Sequence, residues 1–102
     1  MKNQKFLVPT VESQIVPIEI IQFVTFKDFD EKFVIHKDLH VPKLYVCAEY
    51  STGSVVATGT SIKKTKDSAK EKLLLNKTIW SDVMYKQIKK IVAIGLKYPL
   101  NS

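Results

Sequence analysis

The apolar positions of this chain change their spacing near residue 65, from a pattern typical of strands to one typical of helices. Before that point, three short runs rich in β-branched and aromatic residues are separated by polar turns; they cover residues 32–36, 44–50 and 55–60. The stretch 51–54, Ser-Thr-Gly-Ser, has the composition of a hairpin turn. The pattern predicts a three-stranded antiparallel meander.

From Thr65 onward the apolar residues follow a helical spacing. Thr65 is the predicted N-cap, and Ala69 and Leu73 then fall on the stripe that faces a core. Ser81 predicts the start of a further amphipathic helix, which would stop near Gly95. Two helices are therefore expected after the strands.

The first quarter of the chain is harder to interpret. Residues 15–26 are apolar and rich in β-branched residues, so helix and strand are hard to separate by pattern. Pro17 suits the first turn of a helix, in which Ile20 and Val24 would share one face. We predict a short helix here, preceded by a loose lead-in over residues 1–13.

Length and composition are those of a single globular domain. The chain has 102 residues, of which 45% are apolar and 25% charged. The domain is predicted to cover residues 14–80, and residues 81–102 to add a C-terminal helix packed on it. No apolar run is long enough to span a bilayer, and the first residues lack the apolar stretch of a secretion signal.

Few side chains could hold a metal or carry out catalysis. Cys47, His36 and His40 are the only soft or borderline metal ligands, and no base is placed to activate Cys47. Cys47 is predicted to be a small buried hydrophobe and His36 to be structural. Because one cysteine cannot form an internal disulfide, a reducing compartment is expected, nuclear or cytoplasmic. We expect no cofactor, no metal and no enzymatic activity.

Positive charge is concentrated in the C-terminal part of the chain. The net charge is +6; residues 1–60 carry −1 and residues 61–102 carry +7, and all sixteen basic residues are lysines. Lys63, Lys64, Lys66 and Lys70 gather where the last predicted strand turns into a helix. A lysine is a compact point charge that suits phosphate oxygens, whereas bidentate reading of guanine is typical of arginine. The cluster predicts phosphate contacts that ignore base sequence; the alternative is a solvated helix start.

Residues 44–80 resemble the double-stranded-RNA-binding domain. Strand residues 44–50, the turn at Gly53 and the strand ending in Gly59-Thr60 are followed by 65–70, Thr-Lys-Asp-Ser-Ala-Lys, which is similar to the family's Ser-Lys-Lys-x-Ala-Lys. The resemblance implies an α+β fold in the order α-β-β-β-α, a three-stranded antiparallel sheet with the helices on one face. The additional C-terminal helix resembles those of members associated with ribonuclease III and Dicer.

The same resemblance implies that the protein binds double-stranded RNA by shape, as a non-catalytic targeting module in RNA processing. The implied phosphate contacts are Lys63, Lys64, Lys66 and Lys70. The candidate minor-groove contacts are Gln22 in the first helix and His40 and Lys43 in the first loop. The alternative is a protein-interaction module of that fold, which dimerises or binds a protein through its apolar first and last helices and has weak or no RNA binding.

Overall fold

The described residues form six β-strands followed by two α-helices. A computed structural model describes residues 4–9 and 14–102. Its elements are β1 (Lys5–Pro9), β2 (Ile15–Glu19), β3 (Gln22–Val24), β4 (Phe33–Lys37), β5 (Tyr45–Glu49), β6 (Val55–Gly59), α1 (Ile62–Leu75), a 3-10 turn (Lys77–Ile79) and α2 (Trp80–Ala93). β1 and β2 form an antiparallel hairpin, and β3 to β6 form a four-stranded antiparallel sheet in sequence order.

The predicted α-β-β-β-α arrangement is wrong, because strands stand where the first helix was expected. The segment 15–24 is extended and changes partner half-way along. Ile20 N–H donates to the carbonyl of Gln4 at 2.7 Å, on the side of β1, and Ile21 N–H donates to the carbonyl of Ile35 in β4 at 2.8 Å. Its β-branched side chains fit a pleated strand better than a helix, where their first torsion is restricted. Strand propensity prevailed over the apparent helical spacing.

The predicted lead-in also contains structure. Lys5–Pro9 form β1, and Phe6 is only 1% exposed, whereas residues 1–3 and 10–13 lie outside the described residues. Phe6 is buried because the hairpin folds back over the sheet and packs on Val34 and Ala48. The apolar run 6–8, Phe-Leu-Val, is short and is followed at once by Pro9, which is uncommon inside strands, so the sequence did not predict a strand here.

The meander predicted over residues 32–60 is present as β4, β5 and β6. Both faces of its central strands are covered: Phe33 and Ile35 of β4 pack with Ala69 and Leu73 of α1, while Val34 packs beneath the β1–β2 hairpin. A strand buried on both faces has a continuous apolar run instead of an alternating one. The molecule thus has three layers: hairpin, sheet and α1.

Helix α1, which follows the sheet, begins earlier than predicted. Its N-cap is Ser61, whose hydroxyl accepts a hydrogen bond from Lys64 N–H at 3.1 Å, whereas Thr65 is fully buried inside the first turn. Thr65 donates its hydroxyl proton to the Ser61 carbonyl at 2.7 Å. A Cβ on Gly59 would lie 2.7 Å from Thr65 Oγ1, so the glycine allows the helix to start directly against the strand end.

α2 and the C-terminal tail close the other end of the sheet. Trp80 Nε1 donates to Glu31 Oε1 at 2.8 Å, and Ser54 Oγ donates to Gln87 Oε1 at 3.0 Å. The backbone N–H of Leu100 donates to the Ser51 carbonyl at 2.8 Å. Among the described residues, no helix is long and apolar enough to cross a membrane.

Candidate functional site

One end of the four-stranded sheet collects most of the predicted site residues. Lys37 pairs with Tyr45, and Tyr45 pairs with Gly59, so the β4–β5 loop emerges beside the point where β6 runs into α1. We call the loop 38–44, together with Lys37 and residues 62–70 of α1, the basic end. Its exposed cationic residues are Lys37, Lys43, Lys63, Lys64 and Lys70, and the exposed imidazole of His40 lies in the same loop.

The helical part of the basic end carries lysines along one flank. Lys63, Lys66 and Lys70 follow one another at three- and four-residue spacing, which aligns them over about 10 Å of helix length. We call these three residues the lysine track. Lys63 and Lys70 are exposed and Lys66 is half-buried. Lys72 lines the cavity beside α2, so the track lies on the flank of α1 that faces away from α2.

Lys64 does not share this flank. It lies next to Lys63 in sequence, about 100° further around the helix, and Asp67 occupies the positions between them as the neighbour of both at four- and three-residue spacing. In the described part of the chain, none of the track lysines is within salt-bridge distance of a carboxylate. The four lysines predicted to form one cluster are therefore divided. Lys63, Lys66 and Lys70 form a line without a carboxylate partner, and Lys64 is separated from that line by Asp67.

The β4–β5 loop is held by its own hydrogen bonds. Asp38 Oδ1 accepts from the backbone N–H of His40 at 2.8 Å and of Val41 at 2.9 Å. These two bonds hold the pKa of Asp38 below its ordinary value, because they favour the charged carboxylate. Asp38 N–H donates to the Leu44 carbonyl at 3.0 Å, and Leu44 N–H donates to that of Val41 at 2.9 Å. His40 and Lys43 are exposed on this fixed loop.

Gln22 takes a different place from the one predicted. It lies in β3, paired with Ile35, on the edge strand opposite β6, and is half-buried. Two strands, β4 and β5, separate β3 from β6, which puts the two edges about 14 Å apart. The predicted helix that would have presented Gln22 to a groove is absent, and a contact between Gln22 and RNA stays a prediction.

Acidic side chains gather at the opposite end of the sheet. Asp28, Asp30 and Glu31 lie in the β3–β4 connection. Asp28 is 3.3 Å from Lys77 Nζ, and Glu31 binds the Trp80 indole. The same connection contains Lys27 and Lys32, so this end is only weakly acidic, whereas the basic end has an excess of lysines.

Three buried reactive groups lie away from the basic end's surface. Burial raises the pKa of Cys47 to about 12, so its thiol is protonated and inert. Burial also lowers the pKa of His36, although Nδ1 lies 2.7 Å from the Lys37 carbonyl. The Glu49 carboxylate is 2% exposed and accepts hydrogen bonds from the N–H and hydroxyl groups of Ser51 and Thr52. Hydrogen bonds hold His36 and Glu49, and Cys47 packs in the apolar core, so all three groups are structural.

The sequence did not single out Lys37 as part of this site. Its Nζ lies 5.2 Å from the centre of the Tyr45 ring and donates to the Pro42 carbonyl at 3.4 Å. Only the strand register places Lys37 at the end of the sheet from which α1 begins, and register is not visible in a pattern of residue types. Within the described ranges, no group of three or more His, Cys, Asp or Glu residues could hold a metal ion.

Comparison with protein-family models, with curated proteins and with solved structures finds no match to this chain.

Proposed function

We propose that this protein binds double-stranded RNA through phosphate contacts made by the basic end, as a non-catalytic module. The observation that carries the proposal is the lysine track: Lys63, Lys66 and Lys70 line one helix flank without a carboxylate partner in the described residues. Lys37 and Lys43 extend this positive region across the end of the sheet. A row of unneutralised cations attracts a row of phosphates and releases their counterions.

The proposal concerns the backbone of the nucleic acid and not its bases. All basic residues are lysines, which contact phosphate oxygens as point charges. Such contacts fix position and carry no sequence information. The minor-groove contacts implied by the family resemblance are not part of the proposal, because they required the α-β-β-β-α fold.

Duplex RNA is favoured because the cations occupy one compact end. The track on α1 can contact one strand of a duplex while the lysines of the β4–β5 loop contact the other strand, provided that the two strands approach each other closely. A-form RNA has a narrow major groove, whereas the major groove of B-form DNA is about 12 Å wide. The alternative, a protein-interaction or dimerisation module, relied on apolar first and last helices, and the first of these segments forms β2 and β3 instead.

Fluorescence anisotropy with labelled duplex RNA, single-stranded RNA and duplex DNA of about 20 base pairs, titrated at several salt concentrations, tests the proposal. We expect the tightest binding to duplex RNA, with log K falling by roughly 0.7–0.9 per phosphate contact for each unit of log salt. Absence of binding to every nucleic acid at low salt would overturn it. Equal binding of RNA and DNA duplexes would overturn the preference for RNA.

A further inference from the structure

The β4–β5 loop exposes aliphatic side chains in the middle of the basic end. Leu39 is 53% exposed and Val41 is 44% exposed. Both residues lie between Lys37 and Lys43 in sequence. A further exposed aliphatic residue, Ile21 at 42%, lines a shallow cleft together with Leu39. Phosphate contacts make no use of these side chains, so the proposed function leaves them unexplained.

The loop is already ordered in the free protein. The carboxylate of Asp38 binds two backbone N–H groups inside the loop, and the ends of the loop are joined by the Asp38–Leu44 hydrogen bond. An apolar tip held in one conformation loses little conformational entropy when it is buried by a partner. An apolar tip beside lysines fits a partner that offers an apolar surface next to negative charge.

On a nucleic acid, that combination occurs at base faces that are not stacked. In an uninterrupted duplex the faces are covered by their neighbours, but they are accessible at bulges and strand ends. We propose that Leu39 and Val41 pack against unstacked bases, so that the protein prefers duplex RNA with a bulge to uninterrupted duplex RNA. This inference rests on the proposed function and names the form of duplex that the same site selects. Aliphatic residues of other proteins insert at base steps in a similar physical sense.

An anionic membrane also combines apolar and negative surface, but the arrangement of cations favours the nucleic acid. If the loop tip docked on the flat surface of a membrane, the cations in contact with the lipid would be those that surround the tip. The lysine track instead extends about 10 Å along α1, away from the loop end of the sheet. A line of cations that leads away from the tip matches an elongated polyanion running along the helix.

The test compares two RNA hairpins with loop-closed ends, identical except for a central bulge, so that strand ends do not contribute. We expect the native chain to bind the bulged RNA about tenfold more tightly, near the low end of what an aromatic side chain gains from a stacked base. The L39S/V41S variant should bind both RNAs with the affinity of the native chain for the uninterrupted one. The matched control is L75S/V92S, because this exposed leucine and valine lie at the C-terminal end of α1 and in α2, away from the lysine track and the loop, and it should keep the preference.

A 2-aminopurine in the bulge gives a second readout, since its fluorescence should change with the native chain and not with L39S/V41S. Equal affinity of the native chain for both RNAs would overturn the inference and leave the proposed function standing. If the native chain bound neither RNA, both the inference and the proposed function would be overturned. Binding to phosphatidylserine vesicles that disappears in L39S/V41S, without a preference for the bulge, would assign the loop to membranes and overturn the inference.

Discussion

Asn101 forms both backbone hydrogen bonds of a strand neighbour with Leu7, although 94 positions separate them in sequence. Its Oδ1 accepts from Leu7 N–H at 2.6 Å, and its Nδ2 donates to the Leu7 carbonyl at 2.8 Å. The same Nδ2 donates to the carbonyl of Tyr50 at 2.8 Å. One side chain, 8% exposed, thereby joins the tail to the hairpin and to the β5–β6 turn.

Replacing Asn101 with alanine should destabilise the protein by about 2 kcal/mol, because it leaves partly buried backbone groups of Leu7 and Tyr50 without partners. Urea denaturation of N101A and the native chain measures the difference in the free energy of unfolding. N76A is the control, since the exposed Asn76 side chain makes one hydrogen bond, to Lys72. Equal losses in the two variants would contradict the assigned role.

The lysine track predicts a defined change in salt dependence. Replacing Lys63, Lys66 and Lys70 with glutamine should weaken duplex-RNA binding and flatten the plot of log K against log salt by roughly 0.7–0.9 for each lysine–phosphate pair that is removed. K64Q should have a smaller effect, because Lys64 lies beyond Asp67 on the helix. Titrations by anisotropy at several salt concentrations give both quantities.

The control for the track removes the same charge elsewhere. Lys86, Lys89 and Lys97 are exposed in α2 and the tail, outside the basic end. K86Q/K89Q/K97Q should therefore change the slope less than the track variant does. The same flattening in both triple variants would show that overall charge governs binding, and the track would have no special role.

Gly59 predicts a large steric effect. In G59A the new Cβ would lie 2.7 Å from Thr65 Oγ1 and 2.9 Å from Thr65 N, so the start of α1 would have to move. We expect a loss of about 1–3 kcal/mol in the free energy of unfolding, as for other overpacked sites. Thermal and urea denaturation would measure it.

G95A is the comparison for that variant. Gly95 has φ +86° and no atom within 4 Å of an added Cβ, so only backbone strain of about 1–2 kcal/mol is expected there. G59A should additionally weaken RNA binding, because the displaced turn carries Lys63, whereas G95A should leave RNA binding unchanged. Unchanged stability of G59A would mean that α1 does not begin against β6 in solution.

His36 predicts that stability decreases on mild acidification. Its folded-state pKa is lowered from 6.5, mainly by burial, so the folded protein binds a proton less readily than the unfolded chain. The contribution of His36 to the free energy of unfolding is therefore complete above pH 6.5. It is lost as the pH falls through 6.5 towards the folded-state pKa. The lowered pKa of Asp38 acts the same way further down, with stability lost as pH falls below 3.8.

Urea denaturation across this range separates the two groups. H36Q should remove the decrease that begins near 6.5 and leave the one that begins near 3.8. The ring of His36 is 5.4 Å from that of Phe6, so protonation would first weaken packing of the hairpin on the sheet. A free energy of unfolding that is flat between the two values in the native chain would contradict this account.

The strands of the meander were predictable because their apolar runs are short and bounded by polar turns. The first quarter was not, since residues 15–26 satisfy a helical spacing as well as a strand composition, and only tertiary pairing with β1 and β4 decides between them. The N-cap was misplaced for a related reason. Ser61 and Thr65 are both good caps, and the choice depends on the close approach that Gly59 permits.

The lysines of α1 were predictable as a group, because helical spacing follows directly from sequence. Their division by Asp67 follows from the same geometry once the helix start is known. Lys37, Leu39 and Val41 could not be assigned to the basic end in this way. Strand register brings the β4–β5 loop beside α1, and register arises from contacts between distant residues.

The change of partner at Ile20 and Ile21 has a mechanical consequence. A single peptide unit separates an amide anchored to one sheet from an amide anchored to the other. Separating the β1–β2 hairpin from the four-stranded sheet would directly strain the backbone of that sheet, so neither sheet can unfold without the other. The molecule should melt in one sharp step, with both sheets coming apart together.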